Sequence, residues 1–83
     1  MGAFVRMYSR RTCGLCDEAR EIVEGERGVR GFEFEEVFID GDDSLEREYG
    51  LRIPVVEVNG VDEFEYRVDR ERLRRLVAPQ SGG

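Results

Sequence analysis

The spacing of apolar residues changes repeatedly along this chain, and each change marks an expected element. Ala3 to Tyr8 is a short run rich in bulky apolar residues, interrupted by Arg6, and reads as a strand buried mostly on both faces. Polar Ser9 to Thr12 break it. From about Gly14 to Glu26 a helical period takes over, with Leu15, Ala19, Ile22 and Val23 on one stripe. Asp17 and Glu18 lie in its first turn, where acids suit the helix dipole. Gly25, Gly28 and Gly31 punctuate its exit. Phe32 to Ile39 reads as a second strand, alternating at first and closing on an apolar end. Asp42, Asp43 and Ser44 offer N-caps for a short helix through Tyr49, and Gly50 is a natural C′ residue. Val55 to Val58 reads as a third strand. The Asn59-Gly60 pair is a strong hairpin signal and predicts an antiparallel fourth strand over about Asp62 to Arg67. Asp69 then caps a last helix whose apolar face is Leu73, Leu76 and Val77.

The resulting order is β-α-β-α-β-β-α. A right-handed βαβ unit makes the first two strands parallel neighbours, and the hairpin adds two more strands. The expected class is α/β, a four-stranded mixed sheet with helices on both faces. A chain of 83 residues holds one domain. We expect that domain over 1–78 and a frayed tail over 79–83, where Pro and paired Gly follow the last helix.

Composition narrows the chemistry. A net charge of −6 argues against a nucleic-acid partner, which requires a basic face. No apolar run approaches the roughly 20 residues that cross a bilayer. The opening residues do not read as a signal peptide. The two cysteines lie within four residues of one another, unlike the dispersed cysteines of a secreted disulfide scaffold. The expected compartment is therefore the cytoplasm, where a lone C-x-x-C reads as redox or metal chemistry.

Cys13-Gly14-Leu15-Cys16 falls where the first strand hands over to the first helix. Unpaired N–H groups and the dipole at a helix start favour a thiolate at Cys13, and the thiolate is the nucleophile. Cys16 lies one turn later on the same side, so the two sulfurs can close into a disulfide. In that reading Cys13 forms the mixed disulfide with substrate and Cys16 resolves it. Two other readings stand beside it. Half of a zinc site would need further ligands, and the chain has no histidine and no third cysteine. Two inert core cysteines are the other. Arg10 and Arg11 precede the motif, where cations favour a thiolate. Ile53-Pro54 opens the third strand; as an isolated X–Pro bond it favours trans.

Taken together, these residues resemble glutaredoxin over nearly the whole chain. The match runs from Tyr8-Ser9-Arg10-Arg11-Thr12-Cys13-Gly14-Leu15-Cys16 through Ile53-Pro54-Val55-Val56 and Asn59-Gly60 to the closing helix. Cys-Gly-Leu-Cys-Asp-Glu-Ala and Tyr49-Gly50-Leu51-Arg52-Ile53-Pro54-Val55 are similar in particular to the small bacterial glutaredoxin-like proteins of the DUF836 group. The resemblance implies a thioredoxin-like fold with strand order 4-3-1-2 and strand three antiparallel to strand one. It implies that Pro54 is cis, lies against the cysteine pair and helps keep metal off it. The backbone of Ile53 would hydrogen-bond substrate like an added strand. Arg11, Thr12, Gly14, Leu15, Arg52, Ile53, Pro54 and Asp69 are the expected substrate-binding residues, Asp69 matching a helix-start acid that meets the amino group of glutathione. The chain departs from glutaredoxin in having Gly14-Leu15 where Pro-Tyr is usual. It also has Phe64-Glu65-Tyr66-Arg67-Val68 where a Gly-Gly pair usually holds glutathione.

The expected function is thiol–disulfide oxidoreduction on protein or glutathione mixed disulfides. No bound cofactor is expected, and glutathione or a thioredoxin reductase is the candidate reductant. The chain is expected to act as a monomer, away from membranes. The alternative is a non-enzymatic thioredoxin-like binding module, or a dimer sharing an iron–sulfur cluster. Two further expectations concern charge. Arg10, Arg11 and Arg52, joined by Arg67 or Arg70, would form a cationic rim around the sulfurs. Arg6 and Glu57 would pair across neighbouring strands, and a buried acid there could accept a proton from Cys16.

Overall fold

The computed structural model describes residues 2–78; the expected tail at 79–83 lies outside the described residues. Along the chain run β1 (Phe4–Ser9), α1 (Gly14–Arg30), β2 (Glu33–Phe38), α2 (Asp43–Tyr49), β3 (Val55–Val58), β4 (Val61–Glu65) and α3 (Arg70–Val77). The sheet order is β2-β1-β3-β4, the expected order counted from the other edge. β1 and β2 are parallel, whereas β3 runs antiparallel to both β1 and β4. The last ladder carries an irregularity between Val56 and Glu57.

Side-chain alternation along the strands builds two unequal cores. On one face Val5, Met7, Val56, Val58 and Phe64 pack with Ala19 and Val23 of α1 and with Leu73 and Val77 of α3. On the other, Tyr8, Ile39 and Val55 pack with Leu45 and Tyr49 of α2. Because α2 has only seven residues, it covers just one end of that face. β1 is therefore one-sided at its start, where Phe4 and Arg6 are half-buried, and enclosed at its end, which includes Ser9. Arg6 does sit opposite Glu57, with Nη1 and Oε1 3.7 Å apart. Glu57 shares its face with Val55, however, and α1 lies on the other face. It is thus in no position to take a proton from Cys16.

Local signals account for most element ends. Asp42 and Asp69 accept backbone N–H bonds from Leu45 and Arg72 as side-chain caps. Asn59 (φ 52°) and Gly60 (φ 85°) turn the β3–β4 hairpin with both residues left-handed, as a two-residue loop of that hand requires. Two ends differ from expectation. α1 passes Gly25 and Gly28 and stops only at Gly31, which is left-handed at φ 68°. Glu26 explains the extension: it is buried against α3 and bonded by Arg30 of its own helix and by Arg70 and Arg74. Those contacts outweigh the roughly 1 kcal/mol that each helical glycine costs. Gly50 stays right-handed (φ −53°), because the chain keeps turning through the Arg52 N–H bond to Tyr49 O. A side chain at Gly50 would run into the Glu46 carbonyl.

Candidate active site

β1 delivers the chain to the start of α1 through a loop tied down on both sides. Arg10 donates to the Glu46 carboxylate at 2.6 Å and to Gly50 O at 3.3 Å, fixing the loop to α2. The Arg11 N–H donates to Asp40, and its guanidinium stacks 4.7 Å above the Phe38 ring. Cys13 follows as the N-cap of α1, extended at φ −159° and ψ 110°. Its Sγ accepts the Cys16 N–H at 3.1 Å, while its carbonyl accepts the N–H of Asp17. The cap role usually filled by an Asp or Ser oxygen is thus filled by sulfur.

The two sulfurs are bonded to each other, with Cα atoms 5.2 Å apart. Their exposures differ: Cys16 is fully buried and Cys13 is partly open. Gly14 and Thr12 are exposed beside Cys13. Among the described residues, no group of three or more His, Cys, Asp or Glu is placed to hold a metal ion.

Two more loops reach the same end of the sheet, because β3 starts and β4 ends where β1 ends. Tyr8 pairs with Val55, which places Pro54 level with the end of β1. Pro54 is buried, and the Ile53–Pro54 bond is cis. Ile53 packs on the Tyr8 cluster. Arg52 donates to Glu65 at 2.7 Å and to the Glu48 carbonyl, and lies over the Tyr49 ring at 5.2 Å. Asp69 holds the start of α3 through the Arg72 N–H.

The expected cationic rim is thinner than foreseen. Arg10 and Arg52 have carboxylate partners, and Arg70 reaches Glu26, about three turns along α1 from the cysteines. Nineteen acids surround thirteen arginines, so guanidiniums at the surface find carboxylates before they find substrate. Arg11 stacks on a ring, and Arg67 lies 3.9 Å from Glu18, both groups being largely exposed.

Sequence reasoning missed a cavity of about 110 Å³ beside the motif, lined by Leu15, Ala19, Ile22, Tyr66 and Val68, with Glu18 and Arg67. Leu15 and Ile22 belong to the helical stripe and were expected in the core. Both are only half-buried: Ile22 packs against the larger core, and each turns part of its surface to this cavity. Charge is also anchored nearby. Burial pushes the Glu36 carboxyl up, but hydrogen bonds from Arg20 and Ser9 together outweigh it and leave it below its ordinary value. This network ties α1 to β1 and β2 one turn below Cys16.

A four-stranded mixed sheet in this order, with a cysteine pair at the start of its first helix and a cis-proline at the same end of the sheet, is a thioredoxin-like fold. A mutant thioredoxin from Halobacterium salinarum shares the fold, at TM-score 0.63 and 21% identity over 90% of this chain and 71% of that one. The family is narrower: residues 5–78 match the glutaredoxin-like domain (DUF836), and the chain belongs to that family. It is similar to the protein XcR50 of X. campestris, at 39% identity and TM-score 0.72, over 86% of this chain and 91% of that chain. It is also similar to the uncharacterized protein Rv0508 of Mycobacterium tuberculosis, 29% identical over 95% of this chain and 87% of that protein. The glutaredoxin-like fold and the bonded cysteine pair fit a redox role.

Proposed function

We propose that the protein is a thiol–disulfide oxidoreductase that reduces protein or glutathione mixed disulfides through Cys13 and Cys16. The observation that carries this reading is the asymmetry of the pair. The partly open sulfur sits on the helix cap, and its buried partner lies within bonding reach.

In the reduced protein the Cys16 N–H bond to Cys13 Sγ becomes charge-assisted once Cys13 loses its proton. The dipole of the seventeen-residue α1 acts in the same direction. The Cys13 thiolate attacks one sulfur of the substrate disulfide. A Cys13–substrate disulfide forms, the substrate S–S bond breaks, and the first thiolate leaves and takes a proton. Cys16 then loses its proton and attacks the Cys13 sulfur. The Cys13–Cys16 bond closes, and the second substrate thiolate leaves. Two electrons have passed from the protein to the substrate. An external thiol, either two glutathiones or the dithiol of a thioredoxin reductase, returns them. Arg11, Thr12, Gly14, Leu15, Arg52, Pro54 and Asp69 surround the substrate in this reading, with the Ile53 backbone along an extended segment. The reducing cytosol is its compartment.

The test is trapping. The Cys16→Ser variant should accumulate a covalent adduct with a disulfide substrate, visible by mass spectrometry and released by dithiothreitol. The Cys13→Ser variant should form none. Equal adducts on both variants, or on neither, would overturn the assignment of roles.

A further inference from the structure

Tyr66 is the one described residue with a large side chain that holds a left-handed backbone, at φ 68°. Bulky residues rarely adopt that region, and such an outlier persists only when its surroundings over-determine it. Here they do. The Tyr66 N–H donates to Pro54 O at 2.8 Å, and its hydroxyl donates to Leu51 O at 2.5 Å. The β4–α3 turn is thereby locked to the loop that carries Ile53 and Pro54. Glycine would take the same backbone without difficulty, yet it would supply neither ring nor hydroxyl.

Tyr66 remains 47% exposed and forms one wall of the cavity that begins at Leu15, between the two cysteines. Its other walls are Ala19, Ile22 and Val68, and the Glu18–Arg67 pair at its edge carries one charge of each sign. At about 110 Å³ the cavity is far larger than a single water requires and is comparable to an aliphatic side chain. Leu51, whose carbonyl holds the phenol, is itself 91% exposed.

We propose that Tyr66 is the residue that sets substrate choice at this disulfide. It shapes an apolar subsite for a polypeptide that carries an aliphatic side chain next to its reacting cysteine, and it disfavours the glutathionyl group. Glutathione would bring two carboxylates and an ammonium against Leu15, Ile22 and the Tyr66 ring. Desolvating those charges is unfavourable without partners. Arg10 and Arg52 are already bonded to Glu46 and Glu65, and Arg67 at the edge of the cavity faces Glu18. The inference rests on the redox reading and leaves its two-electron exchange unchanged.

The experiment mixes the fully reduced protein with excess substrate in a single turnover. The reaction is quenched in acid, and the thiols left on Cys13 and Cys16 are counted by alkylation and the mass of the intact protein. Insulin serves as the protein disulfide, and the mixed disulfide of cysteine and glutathione as the small one. The wild type should prefer insulin. Tyr66→Gly relieves the backbone and removes the wall; Tyr66→Asn does the same with a residue that tolerates the left-handed region. In both variants the ratio of the insulin rate to the mixed-disulfide rate should fall by about tenfold, the scale at which apolar pockets discriminate. Melting temperatures identify a variant that has lost its fold. A folded variant that slows both substrates equally, or leaves the ratio unchanged, refutes the role of Tyr66 while the redox reading stands. A wild type that reduces neither substrate removes both.

Discussion

Replacing Leu73 with alanine deletes three carbons from the centre of the larger core. Leu73 is fully buried on α3, among Val5, Val23, Val56, Val58 and Phe64. Transfer of those carbons to water accounts for about 2.4 kcal/mol at roughly 0.8 kcal/mol per methylene. The hole left behind adds to this unless the helix moves in to fill it. α3 is not free to move. Asp69 caps its first turn, and Arg70 and Arg74, on either side of Leu73, are bonded to Glu26 on α1. The loss should therefore fall in the upper part of the usual range, about 3–4 kcal/mol. A chain of this size has only about 4–12 kcal/mol in total. Urea titration followed by circular dichroism should show an earlier midpoint with an unchanged slope. The melting temperature should drop by roughly 15–25 °C. Leu73→Met, which nearly conserves volume, should lose under about 1.5 kcal/mol. A Leu73→Ala loss below about 1 kcal/mol would refute the reasoning, because it would mean that α3 is not clamped or that its core is loosely filled.

Two further outcomes follow from the same contacts. The Glu26 carboxyl is held down to about 2 from the usual 4.5, first by its hydrogen bond from Arg74, with Arg70 and Arg30 adding to it against the opposing effect of burial. Its contribution to stability is complete above the unfolded value near 4.5 and fades as pH falls toward 2. Urea midpoints measured between pH 7 and pH 2 should decline less steeply for Glu26→Gln than for the wild type; parallel curves would discard the clamp. The glycines of α1 should respond in opposite directions. Gly28→Ala meets open space in a right-handed helix and should stabilise by up to about 1 kcal/mol. Gly31→Ala forces a side chain into the left-handed region and should destabilise by about 1–2 kcal/mol. The same sign for both changes in urea would show that the helix does not end at Gly31.

Much of the scaffold was readable because it depends on near neighbours. The caps at Asp42 and Asp69, the Asn59-Gly60 turn and the placement of the cysteine pair at a helix start are settled within a few residues of chain. The end of α1 was misread because Gly25 and Gly28 are local breakers, whereas the contacts that override them come from Arg70 and Arg74, more than forty residues away. The cationic rim was misread because sequence shows charges without showing their partners. Tyr66 gave no local signal, since its left-handed backbone is held by Pro54 and Leu51 across a loop.

By itself, then, the amino-acid order determined the succession of elements, the parallel first pair of strands, the hairpin and the dithiol motif. All of these follow from periodicity, capping and turn chemistry, whose energies lie within one or two helical turns. Only the tertiary structure decided which arginines are already paired, how the β4–α3 turn is held to the Pro54 loop, and where an apolar cavity opens beside Leu15. Those properties belong to surfaces brought together from distant segments. Their energies depend on strand register and on what packs opposite, and no stretch of chain carries that information alone.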